Sequence, residues 1–259
     1  MTACPPSDSR YSPPSVAFLR ESALSIAIAL VIVLLWMLSA YASLFVLPDA
    51  STLPLAGVIG MMMVRAFLHT GLFILSHDAM HGSLVPAYPK ANKWIGQFIL
   101  GLYSFLSFKR MQNKHHQHHR TPAQPGDPDF HPGSFWAWYF GFMRTYVKGD
   151  QGWIIFWGMS ALFYPLVFIF HLPVTNVVLF WLLPQGLSSW QLFYFGTYRP
   201  HRCPTNGHTN PHRANSSKAS LFWSFLSCYH FDYHWEHHQY PHLPWYKLPS
   251  ARRQSGERR

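Results

Sequence analysis

The chain has 259 residues and a net charge of +10, from 20 Lys and Arg against 10 Asp and Glu; 49% of residues are hydrophobic, 17% aromatic and only 12% charged. Soluble domains carry about a quarter charged residues, so this composition excludes an ordinary soluble globular protein. The positive balance does not mark a nucleic-acid binder either. The basic residues flank long apolar runs, as they do on the cytoplasmic face of a membrane protein.

Residues 1–20 are Pro- and Ser-rich with little apolar content and read as a disordered tail. Residues 24–47 form an uncharged run, the first expected span. It is longer than the 7–15 residues of a signal-peptide core and continues past the Ala40-Tyr41-Ala42 segment that resembles a cleavage site, so retention as a span is the expectation. A turn over 48–52 leads into the second span, 53–76. It contains Arg65 and His69, which are costly in lipid and are expected to face the interior, either as a satisfied buried pair or as a chamber wall.

His77 and His81 follow, one helical turn apart. Residues 94–107 are apolar but too short to cross, which predicts a re-entrant or interfacial segment. A second cluster follows, His115, His116, His118 and His119. A Pro/Asp/Gly loop over 121–133 then gives way to an aromatic run at 135–140, suited to the membrane–water interface. Residues 153–172 and 174–195 are the third and fourth expected spans, with Pro165 and Pro184 as candidate kinks. Residues 221–229 are apolar and short, and are expected to lie in the interface. The third cluster comes next, His234, His237 and His238, and 251–259 reads as a charged tail. Three cysteines (Cys4, Cys203, Cys228) lack metal-type spacing and are expected to be free thiols.

Of the 20 basic residues only Arg65 lies within a span, and the turns at 48–52 and 173 carry none. The positive-inside rule therefore puts both termini and all three clusters in the cytoplasm. The chain reads as an all-α polytopic membrane protein: four transmembrane helices, a short re-entrant or interfacial helix, and a cytoplasmic histidine-rich di-metal cap. The membrane domain would cover residues 21–250.

An isolated histidine such as His131 or His171 is ordinarily a satisfied polar side chain. Three clusters on one face are different, because the i, i+3, i+4 spacing aims imidazoles at one point. Eight histidines occupy such positions, more than the four ligands of a tetrahedral zinc site. A carboxylate-bridged di-metal bundle needs several glutamates, and this chain has only Glu21, Glu236 and Glu257. A zinc protease needs Glu after the first histidine of the His-x-x-x-His pair, where this chain has Asp78. Imidazole ligation of two redox metals remains, with iron the leading candidate. Asp78 and Asp129 are the candidates for carboxylates that orient ligand rings, with plain loop or cap roles as the alternative.

The order His-x-x-x-His, His-x-x-His-His, His-x-x-His-His across four spans resembles the membrane fatty acid desaturase–hydroxylase superfamily. Several flanking motifs narrow the resemblance to bacterial-type β-carotene ketolases. They are Ser76-His77-Asp78-Ala79-Met80-His81-Gly82 with Pro86, Asp127-Pro128-Asp129-Phe130, the stretch from Phe193 to Tyr198 with Pro200-His201-Arg202, Tyr229-His230-Phe231, and Pro244-Trp245-Tyr246 with Leu248-Pro249. The resemblance covers about residues 25–250 and implies two irons held by His77, His81, His115, His118, His119, His201, His234, His237 and His238. His116 is not a ligand in that pattern, and Asp232 stands where relatives commonly have Gly.

The resemblance also implies O2 as co-substrate and two hydroxylations at ring carbon C4 of β-carotene, the gem-diol losing water to leave a ketone. Repetition on the second ring would give echinenone and then canthaxanthin. A carotenoid hydroxylase or fatty acid desaturase on the same scaffold is the alternative within the superfamily, and a non-catalytic membrane metal-binding protein is the alternative outside it. With no flavin or dinucleotide motif in the chain, electrons would come from a ferredoxin-like donor. Lys109, Arg110, Lys114, Arg120, Arg199 and Arg202 offer it a basic docking face, although positive-inside topology alone accounts for the same charges. Trp36, Phe67, Phe105, Trp157 and Trp190 are candidates to line a tunnel for the polyene, with span packing as the alternative.

Overall fold

The computed structural model describes residues 14–256, and all regular structure among them is helical. Cys4 lies outside the described residues. Helix α1 (Val16–Tyr41) starts four residues before the end of the expected tail, with the Ser15 hydroxyl capping Phe18 N, and runs on through a π turn at Ala42–Val46. Helix α2 (Leu55–Met80) is followed by Gly82 at φ +77°, the left-handed position that closes many helices. Among the described residues, three helical runs are long and apolar enough to cross a membrane: Val16–Val46, Leu55–Met80 and Asp150–Ile169. At 1.5 Å per residue, each 26-residue helix is about 39 Å long.

Helix α3 (Pro89–Ser104) begins on a proline and ends at Phe105 in the left-handed conformation. It turns sharply into α4 (Phe108–Arg120), which carries the second histidine cluster. Helix α5 (Phe135–Val147) holds the aromatic run, burying Trp138 and exposing Trp136 and Phe140. Helix α6 (Asp150–Tyr164) ends in a π turn at Pro165–Ile169. The fourth expected span is one helical run from Val174 to His201, built from α7 (Val174–Val177), α8 (Leu183–Phe193) and α9 (Arg199–His201) with π turns between them. Short helices α10 (Leu221–Cys228), α11 (His234–Gln239) and α12 (Leu248–Gly256) finish the chain, so residues 251–256 of the expected tail are helical.

Helix α2 is the inner element and packs against α1, α3 and α8. Glycine lets α3 approach it closely: a Cβ on Gly96 would sit 2.4 Å from Ala79 Cβ and 2.7 Å from Phe108 Cε2. One core, including Leu72, Leu75, Met80, Leu100, Phe108 and Tyr229, lies under the histidine clusters. A second, of Leu44, Val58, Val177, Phe180 and Trp181, fills the opposite end.

At that far end the two expected turns are tied together by Asn176, which is fully buried. Its Oδ1 accepts from Ala50 N at 2.7 Å, and its Nδ2 donates to the Pro48 carbonyl at 3.2 Å. Arg65 and His69 take separate partners and are not paired with each other, and His69 Nε2 is buried without a hydrogen-bond partner. Arg65 donates to the carbonyls of Phe180 (3.0 Å) and Trp36 (2.7 Å), and to Ser39 Oγ. His69 Nδ1 accepts from Trp36 Nε1 at 3.2 Å, and its ring stacks on Tyr103. These bonds offset the cost of taking Arg65 into an apolar setting, and for His69 they do so at Nδ1 alone. Cys203 is exposed, Cys228 is buried, and both are free.

Candidate metal centre

The end of α2 delivers His77 and His81, α4 delivers His115, His118 and His119, α9 delivers His201, and α11 delivers His234, His237 and His238. All nine meet at one end of the bundle, in two groups. Ligand atoms of His77, His81, His115 and His237 lie within 4.8 Å of one another, as do those of His118, His201, His234 and His238. His119 adds to the first group: its Nε2 is 3.1 Å from His115 Nε2 and 2.9 Å from His237 Nε2.

The spacing of the nitrogens tests whether these residues fit a metal. Two imidazole nitrogens bound to one ion at about 2.0–2.1 Å, at angles between a right angle and tetrahedral, would be about 2.9–3.4 Å apart. The separations are 3.2 Å for His118–His238, 3.1 Å for His234–His238 and 2.9 Å for His119–His237, with His81–His115 just below that range's lower edge at 2.7 Å and so closer than a shared ion would hold them. Hydrogen bonding cannot account for all of them. A neutral imidazole Nε2 carries one proton or one lone pair, yet His115 and His119 each place Nε2 against two others. His77 Nε2 and His201 Nε2 are buried with no partner at all. A shared cation in each group would satisfy every one of these nitrogens, so the residues fit two ions.

Ring orientation is set from the far nitrogens. His201 Nδ1 donates to the Arg213 carbonyl at 2.9 Å, and His118 Nδ1 donates to both oxygens of Asp127 at 3.0 Å. Each bond leaves Nε2 as the lone-pair nitrogen. Burial, reinforced by the neighbouring imidazoles, holds His115, His119, His237 and His238 well below the usual histidine range, which keeps them in the neutral form that ligates. His118 departs from this pattern. Burial pulls it down, but Asp129 and Asp127 together outweigh that and push it up.

Asp127 is the carboxylate closest to a ligand ring, and sequence reasoning had named it only within a motif. It also accepts from Ala123 N and Asp129 N, so it organises its own loop. Asp129, one of the two expected carboxylates, stands farther off, 3.8 Å from His118 Nδ1, and accepts from the Tyr146 hydroxyl. Asp78, the other, lies 3.7 Å from His77 Nδ1 and spends its Oδ2 on Trp245 N at 3.1 Å. The buried Glu236 accepts from the Ser216 hydroxyl, and Arg252 approaches its other oxygen at 3.5 Å. His116 belongs to neither group and donates to the Met80 carbonyl. The buried Asp232 accepts from the Ser224 hydroxyl.

A cavity of about 270 Å³ opens beside the two groups, with His77, His115, His118 and His234 in its wall and Phe73, Phe142, Leu192 and Phe231 supplying apolar surface. The fatty acid desaturase family pattern matches residues 52–258, which include all nine histidines. A beta-carotene ketolase of Paracoccus sp. is 40% identical over 208 residues, covering 79% of this chain and 82% of the relative. The chain belongs to the fatty acid desaturase family, on its β-carotene ketolase branch. A second Paracoccus beta-carotene ketolase is 36% identical, covering 91% of this chain and 95% of the relative. A zeaxanthin 4-ketolase of Chlamydomonas reinhardtii is 37% identical over 93% of this chain, which spans 55% of that longer protein. No local spacing marks His201, yet the fold brings it into the second group.

Proposed function

We propose that the chain is a membrane-embedded carotenoid ketolase. It would oxidise ring carbon C4 of β-carotene, and C4′ of the second ring, to ketones through two O2-dependent hydroxylations at each carbon. The observation that carries this reading is the double imidazole group beside an apolar cavity, in a chain whose ketolase relatives span most of its length. The first ion would be held by His77, His81, His115, His119 and His237, and the second by His118, His201, His234 and His238. Iron bound there would supply O2 activation with electrons from outside.

The chain's own residues do the rest. The apolar wall excludes water and seats the hydrocarbon ring against the histidine end. Asp127 and the Arg213 carbonyl fix two ligand rings in the right tautomer. Three of the proposed spans are the long apolar runs, and the fourth is the helical run Val174–His201. Large exposed apolar side chains such as Leu30, Leu34, Trp157 and Phe168 would face lipid. Positive-inside bias puts the histidine end and both termini in the cytoplasm, where a ferredoxin-like donor would meet the basic face.

The deciding experiment is expression in cells that make β-carotene, with mass spectrometry of the pigments. A gain of about 14 mass units per ring is the ketone, and about 16 is the alcohol of a hydroxylase. Unaltered β-carotene in cells where the iron-loaded protein is present would refute the proposal.

A further inference from the structure

The cavity beside the histidines does not stand alone. It shares Tyr103, Ser104 and Gln185 with a second cavity of about 530 Å³. That one shares Trp36, Leu162 and Trp181 with a third, of about 300 Å³, which reaches Arg65. His77, in the wall of the first, and Arg65, in the wall of the third, both belong to α2 and are twelve residues apart. The row therefore runs about 18 Å along that helix.

Pockets that enclose a drug-sized ligand measure about 300–1,000 Å³. At about 270 Å³ the first cavity takes a ring and little more. A conjugated polyene is stiff and cannot double back, so the rest of a long substrate must leave by a straight apolar path. We infer that the second and third cavities form that path: a groove between α1, α3, α6 and α8 that seats the unreacted polyene half while one ring lies at the histidines. Gly101 is the residue that keeps it open. The inference rests on the carotenoid reading and adds the residues that select for substrate length. It also revises the expected tunnel wall. Trp36 and Phe105 line the groove, whereas Phe67 stacks on Tyr229, and Trp157 and Trp190 lie outside all three cavities.

Gly101 is a clean probe because a Cβ there meets nothing within 4 Å, so a large side chain would project into the groove instead of colliding with the core. Gly60 is equally open but lies on the exposed face of α2 outside the three cavities, which makes Gly60→Trp the control. Full-length wild type, Gly101→Trp and Gly60→Trp would be given β-carotene, and separately a one-ringed apocarotenoid of about half the length. Gly101→Trp should lower ketone formation from β-carotene by about tenfold or more, the scale at which a misfit in an apolar pocket discriminates. It should leave the short substrate within about twofold, and Gly60→Trp should change neither.

Pigment retained by each purified protein is the second readout. Wild type and Gly60→Trp should keep β-carotene that Gly101→Trp loses. Undiminished β-carotene turnover in Gly101→Trp, equal loss of both substrates, or equal bound pigment would each overturn the groove. So would recovery of a phospholipid acyl chain, in place of carotenoid, as the molecule displaced. Absence of ketone from wild type would instead refute the ketolase reading, and the pigment measurement would still decide the groove.

Discussion

Asp127→Asn is the sharpest test of how the second histidine group is held. The carboxylate receives His118 Nδ1 at 3.0 Å on both oxygens, and Ala123 N and Asp129 N at 2.7 and 2.9 Å. Asparagine keeps the shape and one acceptor oxygen, but its NH2 would face a donor, so at least one of these bonds becomes a donor–donor clash. Removing the carboxylate that orients a ligating histidine costs about 10–100-fold in metal affinity or activity. Because His118 belongs to the group with His201, His234 and His238, the loss should be uneven. After dialysis against a chelator, elemental analysis should find close to half the wild-type iron per chain, with ketone formation down by about 10–100-fold. Asp127→Ala is the less informative change, since each buried N–H left unpaired costs about 1–3 kcal/mol and mixes unfolding with metal loss. An Asp127→Asn protein that keeps wild-type iron and turnover would show that the ring is positioned by other means.

Other expectations follow from the same geometry. His118→Ala should abolish ketone product and leave membrane insertion intact, checked by pigment extraction and membrane fractionation; retained ketone would remove His118 from the ligand set. Gly96→Ala should push α3 off α2, costing about 1–3 kcal/mol as overpacking does, read as a lower melting temperature of the detergent-solubilised protein. Asn176→Ala should leave Ala50 N buried and unpaired, at a cost of about 1–3 kcal/mol, while iron content stays at the wild-type level because the change lies at the far end. Lowering pH should destabilise the folded state. His115, His119, His237 and His238 titrate below the usual histidine range when folded, so their contribution is full above the unfolded value near 6.5 and declines as pH falls below it. A melting temperature of the metal-free protein that does not fall between about pH 7.5 and pH 5 would contradict that sign.

The clusters were legible because a helix repeats every 3.6 residues and 108–120 is helical, but the aim at a single point was not: His115 and His119 turn to the first group and His118 to the second. Long uncharged runs marked three of the expected spans, which are helices long and apolar enough to cross a membrane, for an equally simple reason, the thickness of the apolar layer a helix must cross. What local pattern could not supply was the partner across space. Asp127 and Asp129 look alike in sequence, and only the loop's fold turns one toward His118 and the other toward Tyr146. Asp78 sits beside a ligand yet is engaged by Trp245, some 167 residues away. Among the aromatic candidates, which face a groove and which pack elsewhere depends on helix rotation, which composition does not fix. The π turn at 42–46 was equally hidden, since nothing in its apolar sequence departs from an ordinary helix, whereas that at 165–169 begins at the candidate kink Pro165 and that at 178–182 ends just before the candidate kink Pro184.

The nine imidazoles come from four segments as far apart in the chain as His77 and His238. Two ions bound among them would act as rivets through a cap whose other ties are short helices and loops. Burying so many imidazoles at one junction would couple closing of the cap to the filling of its proposed metal sites. Iron scarcity during synthesis would then appear first as missing protein, cleared before it closes, and only second as slow enzyme.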